Sequence, residues 1–106
     1  MKTKEEITAI EGQIQDLLYE VMDPEVELNI VDLGLIYSII YTDPDKVEIK
    51  MTFSTPACPL GDAILANVKQ TINNVFPDYE VDIEVVFEPR WSTDMISEEG
   101  RLKLGM

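Results

Sequence analysis

Two β-prone runs on either side of a short turn constrain this chain most. Residues 35–41, LIYSIIY, are β-branched and aromatic, and residues 47–53, VEIKMTF, alternate apolar with polar side chains. Between them TDPDK carries Pro44 flanked by aspartates, which is turn chemistry. The pattern predicts an antiparallel hairpin whose strands bury one face and expose the other. Such a hairpin needs a cover for its apolar face.

Amphipathic helices supply the cover. Ile7, Ile10, Ile14, Leu17, Leu18 and Val21 recur at helical spacing with Glu and Gln opposite, predicting a helix over residues 4–22. Pro24 is expected to stop it, because the residue before a proline avoids the α region. Pro59 fits a first helical position and opens a second helix, with Leu60, Ile64, Leu65, Val68, Ile72 and Val75 on its apolar face. FPDY ends that helix, and residues 79–87, YEVDIEVVF, alternate as a third strand that stops at EPRW. The tail SEEGRLKLGM reads as a short helix or an ordered tail. The order is α-β-β-α-β-α. It predicts an α+β fold, a three-stranded mixed sheet with helices packed mainly on one face, in a single domain over residues 1–106. The third strand fits beside the second in parallel or beyond the first, and the pattern leaves both open.

Composition narrows the chemistry. Eight Lys and Arg against 21 Asp and Glu give a net charge of −13, which repels a phosphate backbone and argues against nucleic acid. That charge suits a monomer or weak homodimer, or a protein that docks on a basic partner. No apolar run reaches the roughly 20 residues of a membrane span, and the first residues lack a signal peptide's apolar core. One cysteine forms no internal disulfide. A reducing cytoplasm is the expected location. The chain has no histidine, so chemistry rests on Cys58, carboxylates, hydroxyls or backbone groups.

Cys58 stands in STPACPLGD. With Pro59 opening the helix, Cys58 falls at its N-cap, beside unpaired N–H groups and the positive end of the dipole. That setting favours a thiolate, the form that attacks electrophiles and binds soft metals. Gly61 leaves the first turn uncrowded, and the hydroxyls of Thr52, Ser54 and Thr55 on the way in form a candidate ligand pocket. Three readings stand: reactive thiol, metal ligand and small buried hydrophobe, with function favoured over packing. One cysteine makes neither a C-x-x-C redox pair nor a complete zinc site.

A second constellation is the acidic loop DPEVELNIVDLG, residues 23–34. Asp23 and Glu25 are candidate partners of Cys58 as metal ligands, and a solvated turn explains them equally well. Asp32-Leu33-Gly34 reads as turn chemistry, with Gly34 supplying an unusual φ. A third constellation is Pro89-Arg90-Trp91-Ser92, where packing of Trp91 at a core edge is favoured over partner docking. Arg101 is expected to form a structural pair with a carboxylate.

Three motifs in this order, DPEVELNIVDLGLIY, MTFSTPACPLGDAI and FEPRWSTDMISEEGRLKLG, resemble the metal–sulfur cluster assembly family, which includes SufT-like and PaaD-like proteins. The resemblance spans residues 5–105. Phe87 stands where many members carry Trp, Ser54 where Thr is common, and Gly100 where Ala is common. The resemblance implies a non-enzymatic factor that helps transfer iron–sulfur clusters to apoproteins. It implies Cys58 as the functional cysteine, Asp23 and Glu25 as the matching acidic residues, and Ser54 and Thr55 as the neighbouring hydroxyls. The implied cargo is an iron–sulfur cluster or iron, held transiently. The implied partners are the assembly machinery and apoprotein clients. The competing readings are a thiol enzyme or sulfur carrier using Cys58, and an acidic interaction module in which Cys58 only packs.

Overall fold

The computed structural model describes residues 2–24, 26–42, 44–54 and 61–105. Helix α1 (Lys4–Leu18) opens on a capping box: Thr3 Oγ1 accepts the Glu6 N–H at 3.1 Å, and Glu6 Oε1 accepts the Thr3 N–H at 3.3 Å. Such a cap contributes about 1 kcal/mol. A two-residue antiparallel pair follows, β1 (Met22–Asp23) with β2 (Leu28–Asn29). The main sheet contains β3 (Ile36–Thr42), β4 (Lys46–Met51) and β5 (Glu80–Val85) in the order β3-β4-β5. Helix α2 (Gly61–Val75) crosses between β4 and β5, a 3-10 turn spans Thr93–Met95, and α3 (Glu98–Leu104) closes the chain. Among the described residues, no helix is long and apolar enough to cross a membrane.

The hairpin forms as expected, with Tyr41 opposite Val47 and Ile39 opposite Ile49. A bulge between Ile36 and Ser38 keeps Ile36 opposite Met51, so both stay on the core side. The third strand is parallel to β4, with Val47 opposite Val81 and Met51 opposite Val85. A parallel neighbour requires a crossover, and α2 provides it. The outer edge of β3 is guarded instead, since Glu11 of α1 accepts the Tyr41 N–H at 2.9 Å.

The alternation read from β4 sorts its side chains cleanly. Val47, Ile49 and Met51 are buried, while Glu48 and Lys50 face out. Ile14 and Leu18 of α1 and Ile64, Val68 and Ile72 of α2 cover the buried face. The sheet's other face is charged, with Lys46 and Asp82 at 3.7 Å and Lys50 and Glu84 at 4.0 Å. These exposed pairs add little stability.

Two local expectations need correction. Helix α1 ends at Leu18, not Met22, and Pro24 does not stop it. The Val21 N–H bonds the Leu18 carbonyl at 3.1 Å, tightening the turn and swinging Val21 into the core. The Val21 carbonyl then accepts the Ile30 N–H at 2.9 Å. Pairing with β2 outcompetes another turn of helix. The segment expected as plain loop thus holds β1, β2 and a tight turn, in which Glu27 takes a positive φ of 58°.

The C-terminal arm is tied back onto the turn after β2. Asp32 is the hub. Its Oδ2 accepts from Asn29 Nδ2 at 2.7 Å and its Oδ1 from Ser97 Oγ at 2.8 Å, and Lys103 Nζ lies 3.7 Å from Oδ2. The Asp32 carbonyl also accepts the Ser97 N–H at 2.7 Å, while Ser97 Oγ caps α3 by accepting the Gly100 N–H at 3.0 Å. Burial alone pushes the Asp32 carboxyl up. The hydrogen bonds from Asn29 and Ser97, with the Lys103 charge, outweigh it and hold the group below the ordinary aspartate value. Trp91 Nε1 donates to the Leu33 carbonyl at 2.7 Å, and Tyr37 Oη donates to the Pro89 carbonyl at 2.7 Å. Arg101 lies 3.9 Å from Asp94, whose side chain is 95% exposed, so that expected pair forms but is weak.

Gly34 sits at φ +80°, and a Cβ there would collide with the Met95 backbone. Gly34→Ala therefore meets both left-handed strain and a clash, and should cost at least about 2 kcal/mol in denaturant unfolding. A change within about 0.5 kcal/mol would show that neither matters. A lowered Asp32 value gives stability that is complete above the ordinary aspartate range and is lost as pH falls through the lowered one. Asp32→Asn should destabilise by about 1–3 kcal/mol at neutral pH. The gap to wild type should narrow in melts below about pH 4. A gap independent of pH would remove the carboxylate from this role.

Candidate functional site

Strands β4 and β5 are parallel, so the segments following them leave the sheet at the same end. Met51 lies opposite Val85, and the Val86 N–H donates to the Met51 carbonyl at 2.8 Å. Beyond that last bond the two chains diverge and open a cleft of about 630 Å³. Thr52, Phe53 and Ser54 form one wall, and Phe87, Glu88 and residues 90–93 form the other. Crevices at the carboxyl ends of parallel strands are common ligand sites.

Each wall is held by identifiable forces. Thr52 is buried, and its N–H donates to the Leu35 carbonyl at 2.9 Å. The Phe53 ring packs against the first turn of α2, where a Cβ on Gly61 would lie 2.9 Å from Phe53 Cζ. Gly61 is therefore required by the aromatic ring against it, which is more specific than the uncrowded turn expected from sequence. The opposite wall is fixed by the Trp91 and Tyr37 hydrogen bonds and, further along, by the Asp32 hub. Trp91 is packed at the core edge, as expected, and also lines the cleft.

The expected site residues divide into three groups. Thr52 and Ser54 come together in the cleft. Cys58, Thr55 and Glu25, together with Pro59, lie outside the described residues. Asp23 is on β1 opposite Leu28, is 1% exposed, and is not among the residues lining the cleft. A buried Asp23 excludes the solvated-turn reading for that residue. It also does not sit at a helix C-terminus, because α1 has already ended. Among the described residues, no group of three or more acidic or sulfur side chains is placed to hold a metal ion.

Sequence reasoning missed Phe53, Phe87, Glu88, Arg90, Ser92 and Thr93 as parts of one site. The available signal was Arg90-Trp91 just past a strand end, and it becomes a site only once β5 is known to run parallel to β4.

The comparisons with known proteins agree with this architecture. A protein of Porphyromonas gingivalis described as an Fe-S protein maturation auxiliary factor is 39% identical over 100 residues, covering 94% of this chain and 95% of the relative. The Fe-S protein maturation auxiliary factor SufT of Staphylococcus aureus is 31% identical over 86 residues, covering 81% and 98%. A crystal structure of a domain of unknown function from Bacillus anthracis superposes with a TM-score of 0.93 at 30% identity, covering 98% of this chain and 99% of that one. A conserved hypothetical protein of Thermotoga maritima gives 0.75 at 34% identity, covering 99% and 96%. The model of the family described as iron-sulfur cluster assembly protein matches residues 11–85. With most of its length inside that match and near-full-length relatives beside it, this chain belongs to the iron–sulfur cluster assembly protein family.

Proposed function

We propose that this protein is an iron–sulfur maturation factor that helps transfer clusters to apoproteins, with Cys58 as a transient ligand of iron or cluster. The observation that carries the reading is the near-full-length match to maturation auxiliary factors in a chain with one cysteine and no histidine. A single thiolate makes incomplete, exchangeable ligation. The remaining ligands come from Asp23 or Glu25, a second chain, a small thiol or the client itself.

Transfer of this kind is ligand exchange. A client thiolate displaces the Cys58 thiolate from iron, and no electron changes hands. No general base is needed, which suits a chain without histidine. The factor works as one domain in the cytoplasm, with the assembly machinery upstream and apoprotein clients downstream. It acts as a carrier, not as an enzyme.

Cys58→Ala tests the reading. Cells carrying it should lose iron–sulfur enzyme activity severalfold under iron limitation or oxygen stress, with the protein still present at wild-type abundance. Anaerobic reconstitution with iron and sulfide should give visible absorbance and added mass for wild type and neither for Cys58→Ala. Undiminished cluster enzymes in the mutant cells would sink the proposal. A persulfide on Cys58 without bound iron would favour a sulfur carrier instead.

A further inference from the structure

The cleft at the carboxyl ends of β4 and β5 has a chemistry that metal ligation does not use. Its volume of about 630 Å³ lies within the range of small-molecule sites. Phe53, Phe87 and Trp91 give it apolar surface, and Thr52, Ser54, Ser92 and Thr93 add hydroxyls. Arg90 brings a guanidinium to the wall. Lys46, Lys50, Arg101 and Lys103 each lie within 4.0 Å of a carboxylate, but Arg90 makes no ion pair among the described residues. Lys4 and Lys69 are likewise outside these ion pairs, but neither lines the cleft, so among the described residues Arg90 is the one cation on its walls.

We propose that this cleft binds a small organic carboxylate, its apolar body against Phe53 and Trp91 and its carboxylate on Arg90. A guanidinium presents paired N–H donors that match a carboxylate in plane, and neighbouring hydroxyls donate to the same oxygens. The aromatic walls bury the rest of the molecule, which a bare inorganic anion lacks. Glu88 lines the same cleft and opposes an anion, so it limits affinity without contributing to it. The site uses neither Cys58 nor the acidic loop, and it stands independently of the cluster reading.

Trp91 is the only tryptophan of the chain and lines the cleft, so its emission reports occupancy. The probe is cyclohexanecarboxylate, which pairs an apolar body with a carboxylate and does not absorb where tryptophan does. It should shift Trp91 emission saturably, with calorimetry confirming the dissociation constant. Cyclohexylmethanol and acetate, each lacking one half of the chemistry, should bind at least tenfold more weakly. Arg90→Gln should weaken cyclohexanecarboxylate at least tenfold with the thermal midpoint unchanged, since Arg90 is exposed. Glu88→Gln should tighten it a fewfold. Cys58→Ala should leave it unaltered, which separates this result from the fate of the cluster proposal. Any of four outcomes would overturn the assignment: no saturable response, equal affinity for the alcohol, wild-type binding by Arg90→Gln, or weaker binding by Glu88→Gln.

Discussion

The arrangement hangs on a buried carboxylate. Asp32 lies out of water, where an uncompensated charge would cost several kcal/mol. It is tolerated because Asn29, Ser97 and Lys103 converge on it, and because its backbone carbonyl takes the Ser97 N–H as well. Two of these partners come from the far end of the chain. The carboxylate therefore acts less as a source of net stability than as a registration device. It accepts the C-terminal arm in one position and penalises others by stranding its donors. Gly100 makes the fit tight, since a Cβ there would sit 2.9 Å from Leu28 Cδ2 and 3.2 Å from Asp32 Cβ.

From that anchor the arm runs back through Met95 over Gly34, Trp91 on Leu33 and Pro89 on Tyr37. Leu33 and Gly34 lie between β2 and β3, and Tyr37 is the second residue of β3. The wall of the cleft formed by residues 87–93 is thus held both by the turn before β3 and by β3 itself. The opposite wall belongs to β4 and α2, with Phe53 pinned on Gly61. Both walls are tied to residues 33–37, since the Thr52 N–H donates to the Leu35 carbonyl, and the cleft opens between them beyond the Val86–Met51 hydrogen bond.

Much of the fold was legible because period and burial coincide. The alternation in β4 and the four-residue spacing of Ile64, Val68 and Ile72 each named the buried face correctly. The end of α1 was not legible, because a proline six residues downstream is a weaker signal than the pull of Val21 into the core. The pair β1–β2 was invisible for another reason. Two residues carry no period, and its turn puts Glu27 at positive φ, where Gly or Asn would have announced it. The site was legible only where its residues adjoin Cys58 in sequence, as Thr52 and Ser54 do. Arg90 is 36 residues from Ser54 and reaches it only through the parallel pairing of β5, which local pattern left undecided.

The charge distribution gives this geometry its chemical meaning. Carboxylates dominate the chain, and on the outer face of the sheet lysines of β4 answer those of β5 in register. Each lysine there already has a carboxylate, and Glu48 and Glu80 leave the face net negative. Arg90 is unbalanced among the described residues, and it stands on the wall that faces the strand leading into Cys58. A net charge of −13 repels anions at long range, but screening limits that repulsion to about 8–10 Å at physiological salt. Within the cleft, directional hydrogen bonds decide instead. There an anion meets Arg90 and the hydroxyls of Thr52, Ser54, Ser92 and Thr93 at short range, which is where the proposed carboxylate would sit.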